Sequence, residues 1–292
     1  MSNQNKKWAY LLILSFVWGS SFILMKKALI GLTPIQLGAL RMLIAAVFLI
    51  AFGFKSLKKI QKKHYKHIVT TSLLGTFFPV FLFAYAVNGI DSSIASILNS
   101  LTPFNTFIFG VLAFGLTFKK QQLIGIAIGL AGTIILILKG ADLNPNQNYR
   151  FSLLIVLASI GYALNVNIVK KHLSDLSALS IVVGNFLLLI IPAFIVLIST
   201  GFLTEFDFSE TKNLHALGYI TILAVFGTGI AKVFYNIMVH LATPVFASSV
   251  TYLIPIVAVF WGILDGEKLG VIQLLAALLI LLGVYLLNNN KN

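Results

Sequence analysis

Apolar residues run in long unbroken blocks, and ten blocks approach the roughly 20 residues that a helix needs to cross a ~30 Å hydrocarbon core. They cover about 8–27, 33–54, 67–88, 93–115, 121–138, 151–169, 176–199, 214–239, 243–262 and 269–287. The blocks at 121–138 and 151–169 lie near the lower length limit and have the softest bounds. Barrel strands would show alternation over about ten residues at a time, so the pattern predicts an all-α membrane protein with ten transmembrane helices. The first block outruns a signal-peptide core and ends in Met25-Lys26-Lys27 without a small-residue cleavage site, which makes it a retained helix.

The polar interruptions repeat. Shifted by 152 residues, Ala95-Ser96-Ile97-Leu98-Asn99-Ser100-Leu101-Thr102-Pro103 falls on Ala247-Ser248-Ser249-Val250-Thr251-Tyr252-Leu253-Ile254-Pro255. The same shift sets Gly75-Thr76 on Gly227-Thr228, Phe83 on Tyr235 and Gly110 on Gly262. An offset of 144 sets Ser15 on Ser159, Trp18 on Tyr162 and Lys26-Lys27 on Lys170-Lys171. Residues 1–140 and 150–292 are therefore expected to be two five-helix repeats. An odd number of spans per repeat inverts the second half relative to the first, as in many alternating-access transporters.

Composition agrees with this pattern: 59% of the 292 residues are hydrophobic and 10% charged, with a mean hydropathy of +0.97. The net charge of +13 changes the picture only through its placement. With both termini in the cytoplasm, thirteen cations fall inside and six outside (Lys26, Lys27, Lys139, Arg150, Lys212 and Lys268), in keeping with the positive-inside rule. The run KSLKKIQKKHYKH at 55–67 then reads as a loop against anionic lipid headgroups rather than a nucleic-acid surface. His64 and His67 lack a further ligand type and read as loop residues, so no metal and no cofactor is expected. The absence of cysteine removes thiolate and iron–sulfur chemistry.

Two cations lie deep in the spans. Arg41 is roughly 12 Å past Thr33, and Lys232 roughly 10 Å before Val239, at helical rise. No Asp or Glu lies within a span, and an ionisable group there is a functional hypothesis by default. For Arg41, snorkelling or a bond to a carbonyl is an equal alternative. Thr228, Lys232 and Tyr235 share a helical face, with Asn236 beside it. On the fourth helix Ser96, Asn99, Thr102, Pro103 and Thr106 fall within an arc of about 120°, matched by Ser248, Thr251 and Pro255 on the ninth. Pro103 and Pro255 should break their helices and free carbonyls that need partners. Each hydroxyl also has the plainer role of joining helices. The candidate substrate-binding set is Trp18, Ser21, Arg41, Tyr85, Asn99, Thr102, Tyr162, Asn165, Thr228, Lys232, Tyr235, Asn236, Thr251 and Tyr252, with Trp261 as a further candidate aromatic around the cavity.

Phe16-Val17-Trp18-Gly19-Ser20-Ser21-Phe22, Leu40-Arg41-Met42-Leu43-Ile44-Ala45-Ala46, the paired Ala-Ser…Pro segments and Leu264-Asp265-Gly266-Glu267-Lys268-Leu269 followed by Gly283 resemble the EamA family of the drug/metabolite transporter superfamily. The resemblance covers about residues 8–287. It implies an inner-membrane exporter or permease for small metabolites, commonly amino acids or related solutes, with a central cavity between the halves. The family's glycine-glutamate appears as Gly266-Glu267, whereas Phe114-Gly115-Leu116-Thr117 lacks the acid. The proton-coupling glutamate on the first helix of small multidrug-resistance relatives has no counterpart around Trp18 and Gly19.

These features favour secondary transport of a small polar solute by a monomer or homodimer. A flippase for lipid-linked head groups is the alternative within the superfamily. An intramembrane enzyme fits poorly, because the spans carry no carboxylate pair, HExxH or convincing serine–histidine pairing. No GxxxxGK[ST] loop supports an ATP-driven pump.

Overall fold

The computed structural model describes residues 3–115, 120–143 and 147–288. Regular structure among them is entirely helical. Ten helices follow in order: α1 (Asn3–Ala28), α2 (Pro34–Gly53), α3 (Lys62–Gly89), α4 (Ser92–Phe114), α5 (Lys120–Leu143), α6 (Tyr149–His172), α7 (Ala178–Ser199), α8 (Thr211–Leu241), α9 (Pro244–Leu264) and α10 (Val271–Asn288). Eight are long and apolar enough to cross a membrane, while α5 and α10 carry shorter apolar stretches, Ile124–Lys139 and Val271–Gly283. The architecture is the expected all-α membrane fold.

Helix starts are written locally. Thr33 and Gln36 form a capping box ahead of Pro34, and Ser177 and Thr243 cap α7 and α9 through Ser180 N and Phe246 N. α1, α4, α6 and α9 meet in the interior, α2 packs on α7 and α8, and α5 pairs with α10. That last pair is a close backbone approach: a Cβ on Gly283 would lie 2.5 Å from Gly125 O, and one on Gly132 2.9 Å from Ala276 O.

Four helices are interrupted, at repeat-related positions. α4 consists of Ser92–Asn99 and Thr102–Phe114, and α9 passes through a 3₁₀ turn, Ser249–Tyr252, before resuming at Ile254–Leu264. Pro103 and Pro255 sit in the first turn of the resumed segments, where a missing N–H costs little. Asn99 O, four residues before Pro103, accepts Thr102 Oγ1 at 2.8 Å, and Thr251 O, four before Pro255, accepts Ser100 Oγ at 2.9 Å. The second bond ties one break to the other.

The apolar pattern treats α3 and α8 as continuous, whereas both contain π turns, Leu73–Phe77 and Leu223–Ile230, around the paired Gly75-Thr76 and Gly227-Thr228. Such widened turns have few backbone-pattern signals and concentrate at functional sites.

Candidate functional site

The interrupted helices surround a cavity with about 990 Å³ of empty space, including that open to solvent at its mouth. Of the candidate residues, Trp18, Ser21, Arg41, Asn99 and Thr102 line it from the first half, and Tyr162, Asn165, Lys232, Tyr235, Asn236 and Thr251 from the second. Three do not. Tyr85 is 36% exposed on the outer face of α3, and Phe83, two residues and about 200° away, takes its place. Tyr252, on the 3₁₀ turn of α9, packs against Leu101, Phe104 and Phe107. Thr228 is fully buried behind the wall, where it receives a hydrogen bond from Arg41. Trp261 is likewise outside the lining and donates to Ser20 Oγ at 3.0 Å.

The two halves build the walls in the same way. Gly75 and Gly227, in the π turns, are equivalent under the offset of 152; Ser21 and Asn165 are equivalent under 144. A Cβ on Gly75 would lie 2.4 Å from Asn165 Oδ1, and one on Gly227 2.7 Å from Ser21 Oγ, so each glycine admits the polar side chain of the opposite half. Both glycine carbonyls are used: Trp18 Nε1 donates to Gly227 O at 2.9 Å and Lys232 Nζ to Gly75 O at 2.5 Å. Arg41 Nε donates to Thr228 Oγ1 at 2.7 Å. Thus each deep cation reaches across to the π turn of the other half.

Aromatic rings form the remaining surface. Trp18 and Tyr235 are 5.1 Å apart at 55°, Phe83 stacks on Tyr162 at 5.8 Å, and Phe22 meets Phe83 edge-on at 5.9 Å. Lys232 Nζ lies 6.0 Å from the Tyr162 ring centroid. The polar stripe of α4 has a divided role. Ser96 and Thr106 donate to Ser93 O and Thr102 O and join the helix to itself, while Asn99 and Thr102 face the cavity.

Several lining residues escaped the sequence reading, among them Met25, Phe186 and Asn185. Asn185 occupies Arg41's position under the offset of 144, and Phe83 is the repeat mate of Tyr235, so the repeat held the signal for both. Asn185 Oδ1 accepts Thr71 Oγ1 at 3.0 Å.

Polar clusters close the bundle at each end. Where α2 meets α3 and α6 meets α7, Asp175 contacts Lys63 Nζ at 2.6 Å and His64 Nε2 at 3.0 Å. The bonds from Lys63 and His64 lower the Asp175 pKa to about 2. His67 instead stacks on His172, with ring centroids 4.2 Å apart. At the opposite end Glu267 accepts Ser92 Oγ and Ser93 Oγ at 2.6 Å each, their backbone N–H groups at 3.1 and 3.0 Å, and Lys26 Nζ at 2.8 Å. Asp265 pairs with both Lys26 and Lys27. Burial pushes the Glu267 carboxyl up, but Lys26, Ser92 and Ser93 outweigh it and hold the group below the usual glutamate range. The glutamate therefore caps α4, in the other half of the chain. Gly115 and Gly266, which close α4 and α9, both adopt left-handed backbone (φ 76° and 86°); Leu116 and Thr117 lie outside the described residues.

The sequence matches known transporters along its length. A family model described as the EamA-like transporter family matches residues 6–138 and 150–289. The chain is 27% identical over 292 residues to the Escherichia coli (strain K12) protein named "Uncharacterized inner membrane transporter YedA", covering 96% of this chain and 90% of that one. It is 27% identical over 286 residues to the "Probable amino-acid metabolite efflux pump" of the same strain, covering 94% and 92%. A solved crystal structure with 16% sequence identity superposes with a TM-score of 0.66 over 96% of this chain and 95% of the other, a likeness of fold. With the family matched along both halves, the chain belongs to the EamA-like transporter family.

Proposed function

We propose that this protein is a secondary transporter that carries a small polar solute across the cytoplasmic (inner) membrane by alternating access through the central cavity. Amino acids and their metabolites are the first solutes to test, given the name of one relative. The observation that carries the reading is the repeat-related construction of the cavity: Trp18 with Tyr162, Ser21 with Asn165, Asn99 with Thr251 and Phe83 with Tyr235. Inverted halves that present equivalent walls can exchange roles, which is the physical basis of alternating access. The lysine distribution supports cytoplasmic termini. The described lining residues are all buried or half-buried, and their polar groups suit a polar solute.

Counterflow with purified protein in liposomes, screened against amino acids and their derivatives, tests this reading. Saturable exchange that falls at least about tenfold in Lys232→Ala is expected. A conductance without counterflow would instead identify a channel.

A further inference from the structure

Arg41 and Lys232 both line the central cavity. The guanidinium bonds Thr228 in the π turn that leads directly into the α8 segment carrying Lys232, so both cationic side chains are anchored around the same stretch of α8. Arg41 is 9% exposed, and its positive charge persists at any physiological pH. The described structure commits only Nε of its five N–H donors and, on Lys232, one bond to Gly75 O. Both partners are neutral. None of the described acidic residues lines the cavity, and no ion pair among the described residues includes either cation. A permanent charge in a membrane interior is costly without a counter-charge. Asn99 adds a donor: its Oδ1 accepts Thr102 Oγ1 at 3.2 Å, which leaves the amide N–H₂ toward the cavity. Flat aromatic surface from Trp18, Tyr162 and Tyr235 lies beside these donors.

We propose that the solute is a net organic anion: a carboxylate held by Arg41 and Lys232, on a flat apolar body that stacks among Trp18, Tyr162 and Tyr235. This deepens the transporter reading and rests on it. A guanidinium matches a carboxylate with parallel hydrogen bonds. The ammonium of a zwitterion would meet the Arg41 guanidinium and no acid among the described lining residues, so the cavity discriminates by net charge as well as by shape.

The test keeps one aromatic body and varies its charge: N-acetylphenylalanine as the anion, phenylalanine as the zwitterion and phenethylamine as the cation. Binding to purified full-length protein is measured by calorimetry. The anion should bind at least about tenfold more tightly than either other compound. Lys232→Gln should erase most of that preference, and Lys232→Arg, which keeps the charge, should retain it. Equal or tighter binding of the zwitterion or cation, no binding of the anion, or an undiminished preference in folded Lys232→Gln would overturn the proposal. Anion binding without counterflow would leave the charge preference standing and remove the transport reading; counterflow of phenylalanine alone would do the reverse.

Discussion

Replacing Glu267 with glutamine removes the charge at the most densely bonded carboxylate in the described structure. Its side chain is 1% exposed and receives two hydroxyls, two backbone N–H groups and the Lys26 ammonium. Hydrogen bonds to a charged group contribute about 1.5–3 kcal/mol each, and breaking a buried ion pair costs about 3–5 kcal/mol. Lys26 is 31% exposed and keeps Asp265, so part of that loss is recovered. A net destabilisation of about 2–4 kcal/mol follows, or roughly 3–7 °C in melting temperature for a chain of this size. Thermal unfolding in detergent at a fixed scan rate measures it, with Ser92→Ala and Ser93→Ala as smaller perturbations of the same cluster. The pH dependence supplies an independent check. The folded carboxyl is held below its ordinary range, so its stabilisation is complete above that range and disappears as pH falls through the folded value. The gap between wild type and Glu267→Gln should therefore be constant from pH 7 to about 5 and close in more acid solution. A melting temperature unchanged within about 1 °C at pH 7 would refute the capping account.

Two further substitutions separate structural from solute-facing roles. Asn99→Leu removes an amide that faces the cavity while leaving the Thr102-to-Asn99 backbone bond in place, so transport should fall at least about tenfold with melting within about 2 °C of wild type. A large melting loss would assign Asn99 to helix joining instead. Gly75→Ala places a methyl where Asn165 Oδ1 now lies, 2.4 Å away, and should destabilise the fold by about 1–3 kcal/mol; Asn165→Ala in the same chain should restore part of that loss on melting.

The spans, the breaks and both deep cations were legible because each leaves a local mark: an apolar run, a proline, or a charge in a greasy block. The partners of those groups were not. Lys232 meets Gly75 across 157 positions and Arg41 meets Thr228 across 187, separations on which helical periodicity is silent. The π turns hid for a related reason, since one extra residue in a turn shifts the helical face without changing composition. That shift explains Thr228, which shares a face with Lys232 on an ideal helix yet sits behind the cavity wall. Tyr85 illustrates the opposite error, in which aromatic character was read without its direction; the repeat already matched Phe83 to Tyr235. Glu267 was legible only as part of the Gly266-Glu267 motif, because the helix it caps belongs to the other half of the chain.

The central claim, that both sides of the membrane reach one cavity between the halves, has a direct test because the sequence contains no cysteine. Ser21→Cys places a single thiol on the cavity wall beside Gly227. In oriented vesicles, a membrane-impermeant thiol reagent applied from either side should label position 21, and labelling should abolish counterflow. Protection from both sides during active exchange, or full labelling that leaves exchange intact, would contradict the account.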